Sequence, residues 1–144
     1  MVFGGTGDLA LHKLLPALYH LYREGRLNIA VRIIALARRN ISRNDYVKLA
    51  ERHCRAQIAR NDFDEEVWRR FSARLDYFPM DASQSADFGR LARYLGESGG
   101  LTRIYYLATA PNLFVPIANH LRVAGLADHE ARIVLEKPIG HSLE

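Results

Sequence analysis

Gly5-Thr6-Gly7-Asp8-Leu9-Ala10 has the spacing G-x-G-x-x-A, directly after Val2-Phe3-Gly4 and directly before a helical pattern. Small residues at those positions serve three physical needs. One lets the backbone turn tightly out of a strand, one lets it approach an anion closely, and one lets a helix pack against the strand. The amide groups and dipole of the helix start then favour negative charge. This is the arrangement that holds the pyrophosphate of a dinucleotide. A glycine-rich turn with no ligand uses the same letters, so the surrounding elements must decide between the two.

Those elements alternate. Val2-Phe3 is the stub of a first strand. Leu11 to Glu24 is predicted helical, with Leu11, Leu14, Leu15, Leu18, Leu21 and Tyr22 on one face, Pro16 kinking or interrupting it, and Gly25 closing it. Arg32 to Ala37 reads as a second strand, mostly apolar as a strand covered on both faces would be. Ser42 with Asp45 resembles a capping box and opens a helix to about Arg60. A short helix follows from Asp64 to Ala73, and a third strand from Leu75 to Pro79. Ser85 or Asp87 opens the next helix, which ends at Gly96. Thr102 to Ala108 is a fourth strand. Pro111 and Asn112 lead into a helix ending near Gly125, and Arg132 to Glu136 is a fifth strand.

Strands alternating with helices imply right-handed crossovers and a parallel sheet. The expected fold is α/β, a Rossmann-like doubly wound parallel sheet, in one domain over residues 1–144. A glycine turn directly after the first strand is the context the dinucleotide motif requires, and in such sheets ligands sit at the carboxyl ends of the strands.

The strand ends are therefore informative. Arg38 and Arg39 follow the second strand, and no Asp or Glu occurs between Val31 and Arg43. An acidic residue at that place binds a ribose 2′-hydroxyl, whereas arginine grips a 2′-phosphate. The expected cofactor is NADP rather than NAD, the alternative being that both arginines are ordinary loop charges. Asp81 and Ala82 follow the third strand and are expected to flank an adenine. Ala108, Thr109, Ala110 and Pro111 follow the fourth and leave room for a nicotinamide. Glu136-Lys137-Pro138 follows the fifth. Lys137 is placed to reach cofactor and substrate or is a plain surface lysine, and its bond to Pro138 is open to the cis form.

Bulk properties bound the rest. The chain has 144 residues, 49% hydrophobic and 25% charged, enough to bury a proper core. No apolar run approaches the roughly 18 residues of a membrane span. No basic-then-apolar leader opens the chain, and the single cysteine, Cys54, excludes an intrachain disulfide or a cysteine-based zinc cluster. A cytoplasmic protein with no metal site is expected. The net charge of +4 comes from arginines spread along helices. That reads as solvated faces rather than a nucleic-acid surface.

The stretches GGTGDLALHKLLPALYHLYREGRL, IIALARR, VWRRFSARLDYF, YYLATAP and EKPIGHSL resemble glucose-6-phosphate dehydrogenase, the bacterial branch especially, across essentially the whole chain. The resemblance implies that Gly4, Gly5, Thr6, Gly7, Asp8, Leu9 and Ala10 bind the cofactor pyrophosphate. It implies that Arg38 holds the 2′-phosphate of NADP, and that Lys137 contacts glucose 6-phosphate near the nicotinamide. The family oxidises the C1 hydroxyl of that sugar to a lactone, passing hydride to NADP⁺, in the first step of the oxidative pentose phosphate pathway. Its members are usually homo-oligomers.

The chain also departs from the family. The first turn usually reads GASGDLA, and here it reads GGTGDLA. Only Pro111 stands where two prolines are common, with Ala110 before it. The family signature R-I-D-H-Y-L-G-K-E, and the histidine base it supplies, do not occur. None of His12, His20, His53, His120, His129 and His141 matches that base. The expectation is a coenzyme domain cut at both ends, lacking the family's second α+β domain. It should be inactive alone, because hydride transfer needs a base for the hydroxyl proton, and prone to associate through an exposed fifth strand. Two alternatives are a non-catalytic NADP-binding remnant and an extended short-chain dehydrogenase or epimerase. The latter needs a tyrosine with lysine four residues on, and no tyrosine here has one.

Overall fold

Val2 and Phe3 are adjacent, yet their side chains enter different cores. A strand turns successive side chains to opposite faces, so these two residues show that the sheet is covered on both sides. The computed structural model describes residues 1–96, 102–128 and 130–135. It holds five strands: β1 (Val2–Phe3), β2 (Ile33–Ala37), β3 (Leu75–Pro79), β4 (Ile104–Leu107) and β5 (Arg132–Leu135). Their spatial order is β3-β2-β1-β4-β5, and every pairing is parallel. The two-residue β1 is therefore the central strand, in register with Ala35 and Leu36 of β2 on one side and Tyr106 and Leu107 of β4 on the other.

Five α-helices connect the strands: α1 (Leu15–Arg23), α2 (Arg43–Gln57), α3 (Glu65–Ser72), α4 (Ser85–Leu95) and α5 (Phe114–Val123). On one face, Val2, Ile33 and Ala35 pack with Tyr19 of α1, Tyr46 and Cys54 of α2, and Trp68 and Phe71 of α3. On the other, Phe3, Ile34 and Leu36 pack with Phe88 and Leu91 of α4 and Ile117 and Leu121 of α5. The alternation along β2 thus splits its apolar run between two layers, the reason the run looked uniformly hydrophobic.

Local signals placed the helices. The Ser42 hydroxyl accepts the Asp45 amide at 3.0 Å and starts α2. Asp64 accepts the amides of Glu66 and Val67 at 2.9 and 3.0 Å and starts α3, a two-donor N-cap. The first helix differs from the simple expectation. Residues Leu9–Leu14 are wound as a π-helix, and α-helical winding begins only at Leu15. The Leu15 amide donates five residues back, to the Ala10 carbonyl. Pro16, the second residue of α1, has no amide to donate, so the change of winding falls where the donor ladder must break. Pro16 therefore interrupts the pattern near its middle without ending it.

Candidate dinucleotide-binding site

The carboxyl ends of β1, β2, β3 and β4 surround one cleft of about 420 Å³. Gly4, Thr6 and Gly7 line it from β1, and Leu36 to Arg39 from β2. Met80, Asp81, Ala82 and Ser83 line it from β3, and Ala108 and Thr109 from β4. It is the crevice where strand order reverses in a doubly wound sheet.

The glycine turn is built differently from the simplest reading of its motif. The tight turn belongs to Gly4, with φ +78°, one residue before the fingerprint. A Cβ there would lie 2.4 Å from the Ala108 carbonyl oxygen. Gly5 has ordinary φ, but its Cβ would lie 2.6 Å from the Cβ of Ala35, so this glycine lets the turn lie flat on β2. The Gly4 and Gly5 amides both donate to the Leu36 carbonyl, at 2.9 and 3.0 Å. Gly7 is exposed on the cleft wall, leaving its backbone open to a close approach. Ala10 is fully buried, where only a small side chain lets the helix close on the sheet. Asp8 is exposed at the helix start and makes no side-chain cap, so no side chain occupies the amides of that first turn.

Arg38 and Arg39 stand exposed on the rim after β2. Asp81 sits across from them after β3. Its Oδ1 accepts the Ser83 hydroxyl at 2.7 Å and the Ser83 amide at 2.9 Å. Those bonds, helped by the nearby Arg38 guanidinium and opposed by slight desolvation, hold its carboxyl below the usual carboxylate range. The carboxylate is held ionised and oriented into its own turn.

Of the residues expected from sequence, Gly4, Thr6, Gly7, Arg38, Asp81 and Ala82 come together on the cleft. Gly5 and Ala10 lie behind it, Leu9 is half-buried, and Asp8 is outside the lining. Ala108 and Thr109 line it and Ala110 and Pro111 do not. Lys137 lies outside the described residues, as does the end of the expected fifth strand at Glu136. Sequence reasoning missed the apolar floor of Phe3, Leu36, Met80 and Leu113. The signal was in the register, since Phe3 and Leu36 pair directly at the strand ends, and register is invisible before strand order is known. It also missed the contact of His12 with His53, rings whose nitrogens lie 2.7 Å apart.

A family model described as glucose-6-phosphate dehydrogenase, NAD binding domain, matches residues 1–144. The chain belongs to this family. Curated relatives named glucose-6-phosphate 1-dehydrogenase include one from Rhizobium meliloti, 39% identical over 99% of this chain, and one from Mycolicibacterium smegmatis, 40% identical over 99% of it. The chain spans only 29% and 30% of those relatives' own lengths. Among solved structures, glucose-6-phosphate 1-dehydrogenase from Mycobacterium avium superposes with a TM-score of 0.86 at 35% identity, over 97% of this chain and 29% of that one. A glucose-6-phosphate dehydrogenase in complex with its substrate glucose-6-phosphate superposes with a TM-score of 0.79 at 26% identity, over 97% and 30%. Family membership sets aside the short-chain dehydrogenase alternative. Among the described residues no group of three or more histidine, cysteine or acidic side chains is placed to hold a metal ion, and no helix is long and apolar enough to cross a membrane.

Proposed function

We propose that this chain is the NADP-binding portion of a glucose-6-phosphate dehydrogenase, an oxidoreductase that converts glucose 6-phosphate to its lactone. The single observation that carries the cofactor reading is the pair Arg38 and Arg39 on the rim of the glycine-turn cleft, in a segment with no carboxylate from Val31 to Arg43. A carboxylate there would repel a 2′-phosphate, whereas a guanidinium forms charge-assisted, bidentate bonds with it.

The cleft fits a dinucleotide on its own chemistry. Side chains at Gly4 and Gly5 would collide with Ala108 and Ala35, which keeps the turn tight on the sheet, and exposed Gly7 leaves bare backbone on the cleft wall where a pyrophosphate needs contact. In this reading the turn from Gly4 to Ala10 holds the pyrophosphate and Arg38 holds the 2′-phosphate. Asp81 and Ala82 border the adenine, and Lys137 serves the sugar. NADP⁺ supplies the hydride acceptor. This chain's residues bind and orient it, and the low, half-buried Ala108-Thr109 wall leaves space beside the turn. The whole enzyme is expected to be a cytoplasmic homo-oligomer, as is usual for the family.

Titration calorimetry of the purified chain with NADP⁺ and NAD⁺, alongside Arg38→Glu, tests this. NADP⁺ should bind the tighter, and the variant should lose that margin, roughly ten- to a hundredfold for charge-assisted bonds. A folded chain by circular dichroism that binds neither nucleotide, or a variant that keeps its preference, would overturn the proposal.

A further inference from the structure

Behind the cleft, two tyrosines that touch no part of its surface each hold one of its loops. Tyr46 of α2 is 1% exposed, and its hydroxyl donates to the Gly5 carbonyl at 2.8 Å. Tyr77 of β3 is 6% exposed, and its hydroxyl donates to the Arg39 carbonyl at 2.5 Å, with the Ala37 carbonyl farther off at 3.3 Å. The two rings stack on each other, centroids 5.0 Å apart and planes 22° from parallel. The glycine turn and the arginine loop are thus fastened to one buried aromatic pair.

We infer that Tyr46 and Tyr77 are positioning residues that set the spacing between the pyrophosphate-binding turn and the 2′-phosphate-binding loop, with Tyr77 supporting coenzyme specificity through the arginine loop. The inference rests on the coenzyme reading above. A guanidinium discriminates by geometry as well as charge, and it can do so only if its backbone is held still. Arg38 and Arg39 are exposed and leave their strand at Ala37, the last residue of β2. The Tyr77 hydroxyl bonds that exit at Arg39. Tyr46 performs the same service for Gly5, whose carbonyl lies in the buried part of the turn. Burial holds both phenols above the usual tyrosine range, so both stay proton donors throughout the working pH range. The stack makes the pair one unit, so the distance between the two loops is carried through ring-on-ring contact in addition to the Gly4 and Gly5 amides on the Leu36 carbonyl.

The two hydroxyls make distinguishable predictions. Tyr77→Phe keeps the ring and the stack but frees the arginine loop. It should weaken NADP⁺ about five- to tenfold, the worth of one hydrogen bond, and leave NAD⁺, which has no 2′-phosphate, unchanged. Tyr46→Phe frees the turn that both nucleotides share, so both should weaken by about the same factor and their ratio should hold. The measurement is calorimetric titration of both nucleotides into the chain and each variant, with thermal melts on the same samples. A Tyr77→Phe variant that loses NADP⁺ and NAD⁺ affinity in equal proportion, or neither, overturns the specificity role, and the first outcome assigns the hydroxyl to packing alone. If either phenylalanine variant melts so low that binding is unreadable, the same titrations at a temperature well below its melt give the same ratio test. An unaltered chain that binds neither nucleotide overturns the coenzyme reading itself, and this inference with it. An unaltered chain that prefers NADP⁺ while Tyr77→Phe keeps the full preference overturns this inference alone.

Discussion

His12 Nε2 and His53 Nδ1 face each other at 2.7 Å, joining the π-wound start of the first helix to the middle of α2. The rings are tilted, with centroids 4.7 Å apart. Burial, then the adjacent His12 and Arg52, hold His53 below the usual histidine range, and Asp8 opposes them weakly. His12 sits on the helix that begins at the glycine turn, so the charge state of His53 against it bears on how firmly that helix docks on α2.

The sign of the resulting pH dependence follows directly. With a depressed native pKa, the unfolded chain binds more protons than the native one once the pH drops below about 6.5. Stability should fall as the pH is lowered through that value, and this contribution should level off below the native pKa. The carboxylates Asp76, bonded by Tyr94 and Arg32, and Asp81, bonded by Ser83, act only at lower pH, near and below the carboxylate range. The melting temperature is therefore expected to drop between pH 7 and 5.5, and His53→Gln should flatten that slope. Equal slopes in the two proteins would show that His53 does not govern stability in this window.

Gly5 against Ala35 gives a second test. Gly5→Ala has an allowed backbone, so its penalty is the 2.6 Å approach of two methyl-sized groups. Overpacking of this kind costs about 1–3 kcal/mol. Ala35→Gly in the same chain should return part of that loss, a favourable coupling in a double-mutant cycle read by urea unfolding. Additive penalties would place the strain elsewhere. Gly4→Ala should not be rescued this way, since its φ of +78° and the Ala108 carbonyl both stand against it.

The outer strand β5 carries Ile133, Val134 and Leu135 at 40%, 39% and 52% exposure. An apolar edge of this kind pairs readily with another chain. Purified alone, the chain should self-associate as its concentration rises, and Val134→Lys should shift sedimentation velocity profiles toward the single chain. A profile independent of concentration for the unaltered protein would remove this reading.

Turnover is the fourth case. No histidine is among the described residues lining the cleft, and the acidic group there, Asp81, is engaged by Ser83. Among the described residues the cleft therefore offers no free base for a hydroxyl proton, and the chain alone is expected to yield no NADPH from glucose 6-phosphate above background. Steady NADPH formation from glucose 6-phosphate by the purified chain, above the rate without protein, would refute the expectation.

The sequence by itself determined the order of the elements and the turn on which the coenzyme proposal rests. The β–α alternation, the cap at Ser42, the helix start at Asp64, and the glycine fingerprint with Arg38 beyond β2 are local facts, each written within a few residues. Local signals of this kind are legible because propensity, capping and spacing act over one or two turns of chain. What tertiary structure decided was everything that depends on which strands are neighbours. It placed the two-residue β1 at the centre of the sheet, made Phe3 and Leu36 the cleft floor, and moved the tight turn from Gly5 to Gly4. It also brought Tyr46, from 41 residues away, onto the Gly5 carbonyl, and Tyr77, from 38 residues away, onto the Arg39 carbonyl. Those contacts exist because parallel strands must be joined by long crossovers, which put residues far apart in sequence side by side in the fold.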